Sequence, residues 1–333
     1  MSEHKCGFVN IIGCPNAGKS SLINAIMGFK LNIVTPKAQT TRHRILAIYN
    51  EPDYQIVFSD TPGIIQKPSN ELHQRMLQYI EQSFQDADVM LLLIDAHKPC
   101  EIPEEYIERL KVCEYPLIVA INKIDLVKEE ALASIETQWR NILPDALVLK
   151  ISALLGTGVK ELLEKIKTLL PVSPPYYEKD DVTDKTERFI VSEIIREKIL
   201  LLYKEEIPYS AEVIVNSFKE DEKIIRIQAD IIVERETQKM IIIGEKGKAI
   251  KQLGIAARKD LEAFFKKQIY LELYVKVEKN WRKYSFYIYC FGSFFKASKT
   301  LLILASDPNF LIKFSNTPPS NLNPFSLSHL FVI

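Results

Sequence analysis

The stretch from Gly13 to Ser20 limits what this chain can fold into more than any other part of its sequence. It reads Gly-Cys-Pro-Asn-Ala-Gly-Lys-Ser and fits the pattern G-x-x-x-x-G-K-[ST]. A buried strand is predicted before it, over residues 6–12, and a helix after it, over residues 20–27. Such a loop turns successive backbone N–H groups and a helix N-terminus toward one anionic group. The stretch therefore predicts a phosphate-binding loop in an α/β domain, and by itself it does not choose between ATP and GTP.

Three residues of this loop have expected roles at a bound nucleotide. Gly18 lets the backbone approach the phosphates closely. Lys19 would reach the β- and γ-phosphates, and the Ser20 hydroxyl would be a magnesium ligand. The alternative is a glycine-containing turn with a surface lysine, and the strand before the loop and the helix after it argue against that alternative.

Composition narrows the class of protein. The chain has 333 residues, which is long for one domain, so two domains are expected. Its 43 basic and 43 acidic residues cancel, and any surface for nucleic acid must come from local clustering of charge. The five cysteines include no C-x-x-C pair, which argues against a zinc site or a disulfide framework and favours a reducing compartment. The sequence shows neither a signal peptide nor a run of about 18 apolar residues, so we expect a cytoplasmic protein.

Strand-like and helix-like segments alternate through the first half of the chain. Continuous apolar strands are predicted over 89–95 and 116–121, and strands of this kind belong to a sheet that is covered on both faces. A hairpin of strands 43–49 and 54–59 precedes them, after a turn-rich segment, 31–44, that we expect to be a mobile loop. The other predicted elements are helices over 70–84, 101–113 and 159–170 and a strand over 146–151. The pattern predicts an α/β domain over residues 1–170 with a mostly parallel sheet.

A second motif, Asp60-Thr61-Pro62-Gly63, follows the hairpin. In an open α/β sheet the ligand binds at the carboxyl ends of the strands, which is where this motif lies. Asp60 would hold magnesium, usually through a water, and the Gly63 N–H would face a γ-phosphate. The alternative is an ordinary Asp-Thr-Pro-Gly turn.

Two further motifs follow predicted strands and concern the base. Asn122-Lys123-Ile124-Asp125 comes after the strand 116–121, where a carboxylate can accept hydrogen bonds from guanine N1–H and the exocyclic amine. Adenine does not present this pair of donors, so Asp125 would select GTP over ATP. Ser152-Ala153-Leu154 follows the strand 146–151, where its backbone can meet the guanine carbonyl.

The order and spacing of these motifs over 1–170 resemble the translation-factor-class GTPases. Within them, the branch of ribosome-assembly and tRNA-modification GTPases is most similar, because it has the Asn-x-Gly-Lys-Ser form of the loop, here Asn16 to Ser20, and a Thr-Thr-Arg element, here Thr40 to Arg42. The resemblance implies that Thr41 is the switch threonine, which closes on magnesium and the γ-phosphate. The expected metal ligands are then Ser20, Thr41 and Asp60.

One position departs from Ras-like enzymes. Ile64 follows the Asp60–Gly63 motif, where those enzymes have a glutamine that orients water, and an isoleucine cannot do this. In the resembled branch a potassium ion, held partly by a P-loop asparagine, supplies positive charge instead, and Asn16 matches that position. We therefore expect slow GTP hydrolysis that potassium stimulates more than sodium, with Asn16, Lys19, Thr41 and Gly63 as the catalytic residues.

The complete set of expected contacts with GTP or GDP comes from the loop and the three later motifs. It is Gly13, Cys14, Pro15, Asn16, Ala17, Gly18, Lys19, Ser20, Asp60, Thr61, Pro62, Gly63, Ile64, Asn122, Lys123, Asp125, Ser152, Ala153 and Leu154. A reactive-type side chain without a specified partner is weak evidence for catalysis, so structural or solvated roles are expected for Cys14, His43 and Asp95.

A second domain is predicted after a linker, 171–187, that is rich in proline and charge. From Lys239 to Lys283 there are twelve basic and five acidic residues, so this segment is locally positive. It contains Gly244-Glu245-Lys246-Gly247 between an apolar stretch and helical stretches over 248–253 and 255–267. A G-x-x-G loop in this setting is typical of a KH module, in which the loop passes close to the backbone of about four nucleotides. The alternative is a helix-turn-helix with a solvated basic face. The expected RNA contacts are Gly244, Glu245, Lys246, Gly247, Lys248 and Lys251.

Residues 5–283 resemble the Era family of bacterial GTPases of small-subunit ribosome assembly. The resemblance includes segments 173–177, 189–198 and 280–282. It implies a P-loop GTPase domain followed by an α+β, type II KH domain over 188–283. It also implies binding of single-stranded RNA near the 3′ end of small-subunit ribosomal RNA, without DNA as a partner, and a role with the 30S subunit in which GTP favours the RNA-competent arrangement.

The resemblance stops after Lys283. Residues 284–333 hold eleven of the 32 aromatic residues and only four charged side chains, so we expect an atypical tail. The tail is either a peripheral contact with the inner membrane or a frameshift or read-through product. Two other functions stay open at this point: a metabolic P-loop kinase, and a membrane-recruited regulatory GTPase that uses the tail.

Overall fold

The structure is a computed structural model that describes residues 3–37, 40–65, 71–279 and 281. The predicted tail, 284–333, lies outside the described residues. Within the segment 280–282, the structure describes Trp281 alone.

The first half of the chain forms a six-stranded sheet of order β2-β3-β1-β4-β5-β6. The strands are β1 (Lys5–Gly13), β2 (Ile45–Glu51), β3 (Tyr54–Asp60), β4 (Val89–Asp95), β5 (Leu117–Asn122) and β6 (Leu147–Lys150). β2 pairs antiparallel with β3, and the other neighbouring strands pair in parallel. Every residue of β4 and β5 is buried, as their continuous apolar sequences predict.

Helices cover both faces of this sheet. They are α1 (Lys19–Met27), α2 (Glu71–Gln85), α3 (Glu104–Lys111), α4 (Glu129–Ile142) and α5 (Val159–Leu169). Leu22 of α1 and Leu162 of α5 belong to one apolar cluster, while Ile80 of α2 and Trp139 of α4 belong to a second. The strands thus separate two cores, and their carboxyl ends form one edge that stays open to a ligand.

The second half contains a three-stranded sheet of order β7-β8-β9, in which β7 and β8 are antiparallel and β8 and β9 are parallel. Its elements are α6 (Glu187–Leu202), α7 (Ile207–Ser210), β7 (Glu212–Glu220), β8 (Ile224–Val233), α8 (Glu236–Ile243), α9 (Lys248–Phe265) and β9 (Gln268–Val277). The expected separation of 248–253 from 255–267 is wrong, because α9 runs through Gly254 without interruption. A single glycine lowers helix propensity without ending a helix, and a Cβ added to Gly254 would lie 3.7 Å from Leu273 Cδ1 of β9.

The described residues between α1 and β2, 28–37 and 40–44, form neither a helix nor a strand, and several of their side chains are buried. Arg42 is 2% exposed, and its guanidinium donates to Glu212 Oε2 at 3.0 Å and to the Ala211 carbonyl oxygen at 3.1 Å. Arg196 of α6 donates to the Thr40 carbonyl oxygen at 2.6 Å. This segment therefore connects the nucleotide half of the chain to the second sheet.

None of the helices in the described ranges is both long enough and apolar enough to cross a bilayer.

Candidate functional site: a nucleotide-binding edge and a glycine loop

The P-loop joins β1 to α1 through two residues in the left-handed region. Asn16 has φ of 63° and Gly18 has φ of 101°. A Cβ added to Gly18 would lie 2.3 Å from Asn122 Nδ2, so a glycine is required there by both conformation and space. Lys19 is 6% exposed, and its Nζ donates to the carbonyl oxygens of Gly13 and Cys14, each at 2.9 Å. Burial lowers the pKa of Lys19 to about 8, and the nearby Asp60 carboxylate opposes that change.

The three side chains predicted to hold magnesium lie together. Ser20 Oγ donates to Asp60 Oδ2 at 2.7 Å and lies 3.1 Å from Thr41 Oγ1. They come from α1, from the end of β3 and from the segment before β2. Burial raises the pKa of Asp60 to about 6, while hydrogen bonds and the charge of Lys19 oppose the shift. The structure thus forms a compact cluster of carboxylate and hydroxyl oxygens at this edge.

The Asp60–Gly63 motif is packed against the P-loop. Thr61 Oγ1 donates to the Ile11 carbonyl oxygen at 2.6 Å. A Cβ added to Gly63 would lie 2.7 Å from Pro15 N, and the Ile64 N–H donates to the Gly13 carbonyl oxygen at 3.1 Å. The Ile64 side chain is 5% exposed and belongs to the second apolar core, so it is a packing residue at this position.

The motifs expected at the base also contact the P-loop. Asn122 Nδ2 donates to the Ala17 carbonyl oxygen at 2.8 Å, and its Oδ1 accepts from the Ala153 N–H at 2.9 Å. Lys123 Nζ donates to the Asn16 carbonyl oxygen at 2.7 Å. These bonds join three loops: the P-loop lies more than 100 residues before Asn122 and Lys123, and Ala153 lies 31 residues after Asn122.

Asp125 and Leu154 lie at the open end of this arrangement. Asp125 is exposed, and Ser152 Oγ donates to its Oδ1 at 2.5 Å. Leu154 is 83% exposed, so its side chain contributes little to the core. The carboxylate is therefore oriented by one hydrogen bond and still open to donors of a ligand.

Asn16 is the residue predicted at the potassium ion. Its side chain is exposed, and its Nδ2 donates to the Pro36 carbonyl oxygen at 3.0 Å. This bond shows which end of the amide is the nitrogen. The other end, Oδ1, can ligate a cation and is left for another partner.

The glycine loop of the second half has a different setting. Gly244 and Gly247 both have positive φ, 70° and 75°, and Lys246 between them has φ of 50°. The loop ends in the N-terminus of α9, which begins at Lys248. A Cβ added to Gly247 meets no atom within 4 Å, whereas one added to Gly244 would lie 2.6 Å from the Ala249 Cβ.

The surface around this loop is basic and apolar. Lys246, Lys248 and Lys251 are exposed, and none of them forms an ion pair with a described residue. Met240 and Ile241 of α8 are 68% and 51% exposed. Unpaired cations beside exposed apolar side chains suit a ligand with a charged backbone and stacking bases.

Known protein families match both halves. A family model described as "50S ribosome-binding GTPase" matches residues 8–123, and one described as "KH domain" matches residues 206–282. GTPase Era of Syntrophus aciditrophicus is 47% identical over 283 residues, which are 84% of this chain and 92% of that protein. GTPase Era of Carboxydothermus hydrogenoformans is 44% identical over 293 residues, or 87% of this chain and 98% of that protein. The chain belongs to the Era family of GTPases.

Solved structures of Era proteins share the fold. A crystal structure of Era in complex with MgGDPNP and nucleotides 1506–1542 of 16S ribosomal RNA has a TM-score of 0.81 and 38% identity, covering 87% of this chain and 99% of that one. A variant of Era from Aquifex aeolicus bound to GDP.AlF4− has the same TM-score and identity, with coverage of 86% and 99%. The predicted fold class, a P-loop GTPase domain with a mostly parallel sheet followed by a KH domain, is confirmed. The type II assignment and the domain limits stay predictions.

The structure brings two cysteines of this Era-family chain together. The sequence argued against a disulfide framework, which stays a prediction, and Cys14 of the P-loop lies against Cys100, which follows β4. β1 and β4 are neighbours in the sheet, so the loops at their carboxyl ends meet although 86 residues separate the two cysteines. Sequence spacing alone contains no sign of that neighbourhood.

The expected structural or solvated roles of Asp95 and His43 stay predictions, and both side chains contact their neighbours. Asp95 Oδ2 pairs with Lys123 Nζ at 2.5 Å, and its Oδ1 accepts from the His97 and Lys98 N–H groups. The His43 ring packs edge-on against Phe189, with 5.6 Å between the ring centroids.

A residue of this Era-family site that the sequence did not indicate is Asn32. It is 2% exposed, and its Nδ2 donates to Asp60 Oδ2 at 2.8 Å. An asparagine in a polar, turn-rich segment carries no pattern that separates a site residue from a solvated one.

Proposed function

We propose that this member of the Era family is a GTP-binding and GTP-hydrolysing switch that binds small-subunit ribosomal RNA near its 3′ end and assists assembly of the 30S subunit. One observation carries the proposal: a single chain combines the Ser20–Thr41–Asp60 cluster and Asp125 with an exposed, basic G-x-x-G loop. A relative with 38% identity was crystallised with both a GTP analogue and ribosomal RNA, which supports joining the two ligands in one function.

The nucleotide contacts follow the predicted residues. The P-loop N–H groups and Lys19 hold the phosphates, while the exposed Asp125 carboxylate accepts from guanine N1–H and the exocyclic amine. The Ser20 and Thr41 hydroxyls and the Asp60 carboxylate are oxygen donors of the kind that Mg²⁺ prefers, so they fit this ion. When bound, Mg²⁺ neutralises charge on the phosphates during hydrolysis. Gly63 presents its N–H beside the P-loop, where an added Cβ would collide with Pro15.

Hydrolysis in this chain proceeds without a side chain that orients water at position 64. Ile64 packs into the core and cannot orient water, and in this proposal a potassium ion would supply positive charge at the phosphates instead. Asn16 fits a potassium ion because its Nδ2 is already bonded to Pro36 and its amide oxygen remains for a cation. The site therefore favours slow GTP hydrolysis with potassium stimulation.

The KH domain supplies the RNA contacts. The loop from Gly244 to Gly247 passes along the RNA backbone, and Lys246, Lys248 and Lys251 contribute positive charge. The exposed apolar residues of α8 lie beside the loop, where bases can pack against them. The protein works in the cytoplasm with the 30S subunit and takes no DNA. The membrane-recruited alternative depends on residues 284–333, which lie outside the described residues.

A hydrolysis experiment tests the enzyme part of the proposal. Release of inorganic phosphate from GTP is measured in equal concentrations of KCl and NaCl, for the natural chain and for Asn16→Ala. We expect faster release in KCl, and Asn16→Ala should remove the difference. Equal rates in both salts, with no effect of Asn16→Ala, would contradict the potassium proposal. Binding and turnover of ATP without GTP would favour a metabolic kinase instead.

An RNA-binding experiment tests the second part. The probe is a single-stranded oligonucleotide that matches the 3′ end of small-subunit ribosomal RNA. Affinity should be higher with a non-hydrolysable GTP analogue than with GDP. The double variant Gly244→Asp/Gly247→Asp should lose most of the affinity, because it puts two carboxylates beside the RNA phosphates. Undiminished binding by this variant would remove the loop from the RNA site.

A further inference from the structure

Asn32 is a buried polar residue whose role the proposed function leaves unexplained. Its backbone is fixed to α1 by the amide of Asn24. Asn24 Oδ1 accepts from the Asn32 N–H at 2.8 Å, and Asn24 Nδ2 donates to the Asn32 carbonyl oxygen at 2.8 Å. Asn24 bonds only to the backbone of Asn32. The Asn32 side chain therefore has no part in holding this segment to α1 and is available for another role.

The Asn32 side chain contacts the magnesium cluster. Its Nδ2 donates to Asp60 Oδ2 at 2.8 Å, and Ser20 Oγ donates to the same oxygen at 2.7 Å. A carboxylate only accepts hydrogen bonds, so the amide must present its nitrogen to Asp60. Asn32 Oδ1 is then left for a different partner.

Two acceptor atoms in this region have no donor. Asn32 Oδ1 and Asp60 Oδ1 are both buried, and neither has a hydrogen-bond partner in the part of the chain that the structure describes. An unsatisfied buried acceptor costs about 1–3 kcal/mol. The nearby ammonium of Lys19 already donates to Gly13 and Cys14. A bound species that brings its own donors would satisfy both atoms.

We propose that Asn32 is a positioning residue for the magnesium ion that accompanies the nucleotide. In a protein site Mg²⁺ keeps several of its waters, and each metal-bound water directs its protons outward as a donor. Asn32 Oδ1 accepts from one such water, and Asn32 Nδ2 holds Asp60 so that its Oδ1 accepts from another. This inference rests on the proposed GTP function, and it adds a residue of the metal's outer sphere that touches neither the metal nor the phosphates.

The test follows the release rate of N-methylanthraniloyl-GDP from the full chain as free Mg²⁺ is varied, with excess EDTA as the metal-free limit. Asn32→Leu keeps a similar volume and removes both hydrogen-bonding ends. We expect the Mg²⁺ concentration that half-suppresses release to rise about ten-fold, in line with the cost of an unmet polar group. Release in EDTA should change much less, because the partner of Oδ1 is present only with the metal, and the bond to Asp60 that is also lost does not touch the nucleotide.

A second variant should change the effect of Mg²⁺ on nucleotide release in the opposite direction. Asn32→Asp retains an acceptor for the metal-bound water but places a second negative charge beside Asp60. Release in EDTA should become faster, because two carboxylates then repel the phosphates. Mg²⁺ should slow release by a larger factor than in the natural chain. A residue that only supports the loop would not produce opposite changes in the two variants.

Two controls separate the possible failures. Asn24→Ala loosens the backbone anchor and should change release in EDTA and in Mg²⁺ alike. Ser20→Ala removes a proposed ligand and tests the magnesium site itself. If Ser20→Ala shifts the Mg²⁺ dependence and Asn32→Leu does not, or if Asn32→Leu shifts both limits equally, the inference is overturned and the proposed function remains. If release from the natural chain does not respond to Mg²⁺, both are overturned.

Discussion

The two glycine loops of this Era-family chain, Gly13–Ser20 and Gly244–Gly247, are built alike locally and differently in their surroundings. Each leads into a helix N-terminus through residues with positive φ. At Gly18 an added Cβ would collide with Asn122, whereas at Gly247 it meets no atom within 4 Å. The first loop is held by neighbouring loops before any ligand arrives, and the second is held by its own turn and offers exposed charge. A substitution in the first loop should therefore abolish nucleotide binding. Substitutions in the second loop should each lower RNA affinity by a part.

The largest expected effect is that of Gly18→Ala. The variant strains a left-handed residue and displaces the Asn122 amide that holds Ala17 and Ala153. We expect a loss of about 1,000-fold in GTP affinity, equivalent to about 4 kcal/mol, measured by titration calorimetry. Gly247→Ala is the matched variant, with the same kind of strain but no collision, and its RNA affinity should fall by less than about ten-fold. Similar losses in the two variants would remove the distinction between the loops.

A second effect concerns the contact that joins the two halves. Arg42→Ala removes the buried ion pair between Arg42 and Glu212, whose side chains are 2% and 5% exposed. Breaking a buried pair in this way costs about 3 kcal/mol or more of unfolding free energy, measured as a lower denaturant midpoint. Lys111→Ala breaks an exposed pair with Glu108 and should cost less than about 1 kcal/mol. An Arg42→Ala midpoint equal to that of Lys111→Ala would show that the contact contributes nothing to the stability of the joined halves.

The first loop was the easier one to predict from sequence. β4 and β5 are continuous apolar runs, so the sheet and the edge at which Asp60, Asn122 and Ser152 converge follow from the pattern. The helix α4 was not predicted, because only Leu132 and Trp139 are buried along its length. Neither Asn32 nor the contact of Cys14 with Cys100 could be predicted, since both depend on which segments become neighbours in space. The basic surface of the second loop was visible in local composition, but the exposure of its lysines required the structure.

A smaller effect is expected from the charges of the second loop. The triple variant Lys246→Ala/Lys248→Ala/Lys251→Ala removes three exposed cations that form no ion pair with a described residue. RNA affinity should fall about ten-fold, and the slope of log K against log salt should become shallower by about 2, because each cation contributes about 0.7 on single strands. Lys160→Ala on α5 is a control with an exposed lysine of the nucleotide half. An unchanged salt slope in the triple variant would mean that these lysines do not contact phosphates.

The smallest effect tests how the second loop is supported. The Tyr203 hydroxyl donates to the Ile242 carbonyl oxygen at 2.8 Å, which ties the end of α6 to the last turn of α8 beside the loop. Tyr203→Phe should cost about 1 kcal/mol of unfolding free energy, the usual net value of one hydrogen bond. It should lower RNA affinity only slightly, because the loop keeps its own turn.

The pH dependence of stability separates this hydrogen bond from simple packing. Burial raises the pKa of Tyr203 to about 12, above its usual value near 10, so the folded state holds the phenol proton more tightly than the unfolded state. The stabilisation is present below the unfolded pKa and is lost as pH rises from about 10 toward about 12. The difference in unfolding free energy between the natural chain and Tyr203→Phe should therefore shrink over that range, measured by denaturant titration at each pH. A difference near zero at every pH would mean that Tyr203 supports α8 through its ring alone, and a non-zero difference that stays constant over this range would contradict the link between the bond to Ile242 and the phenol proton.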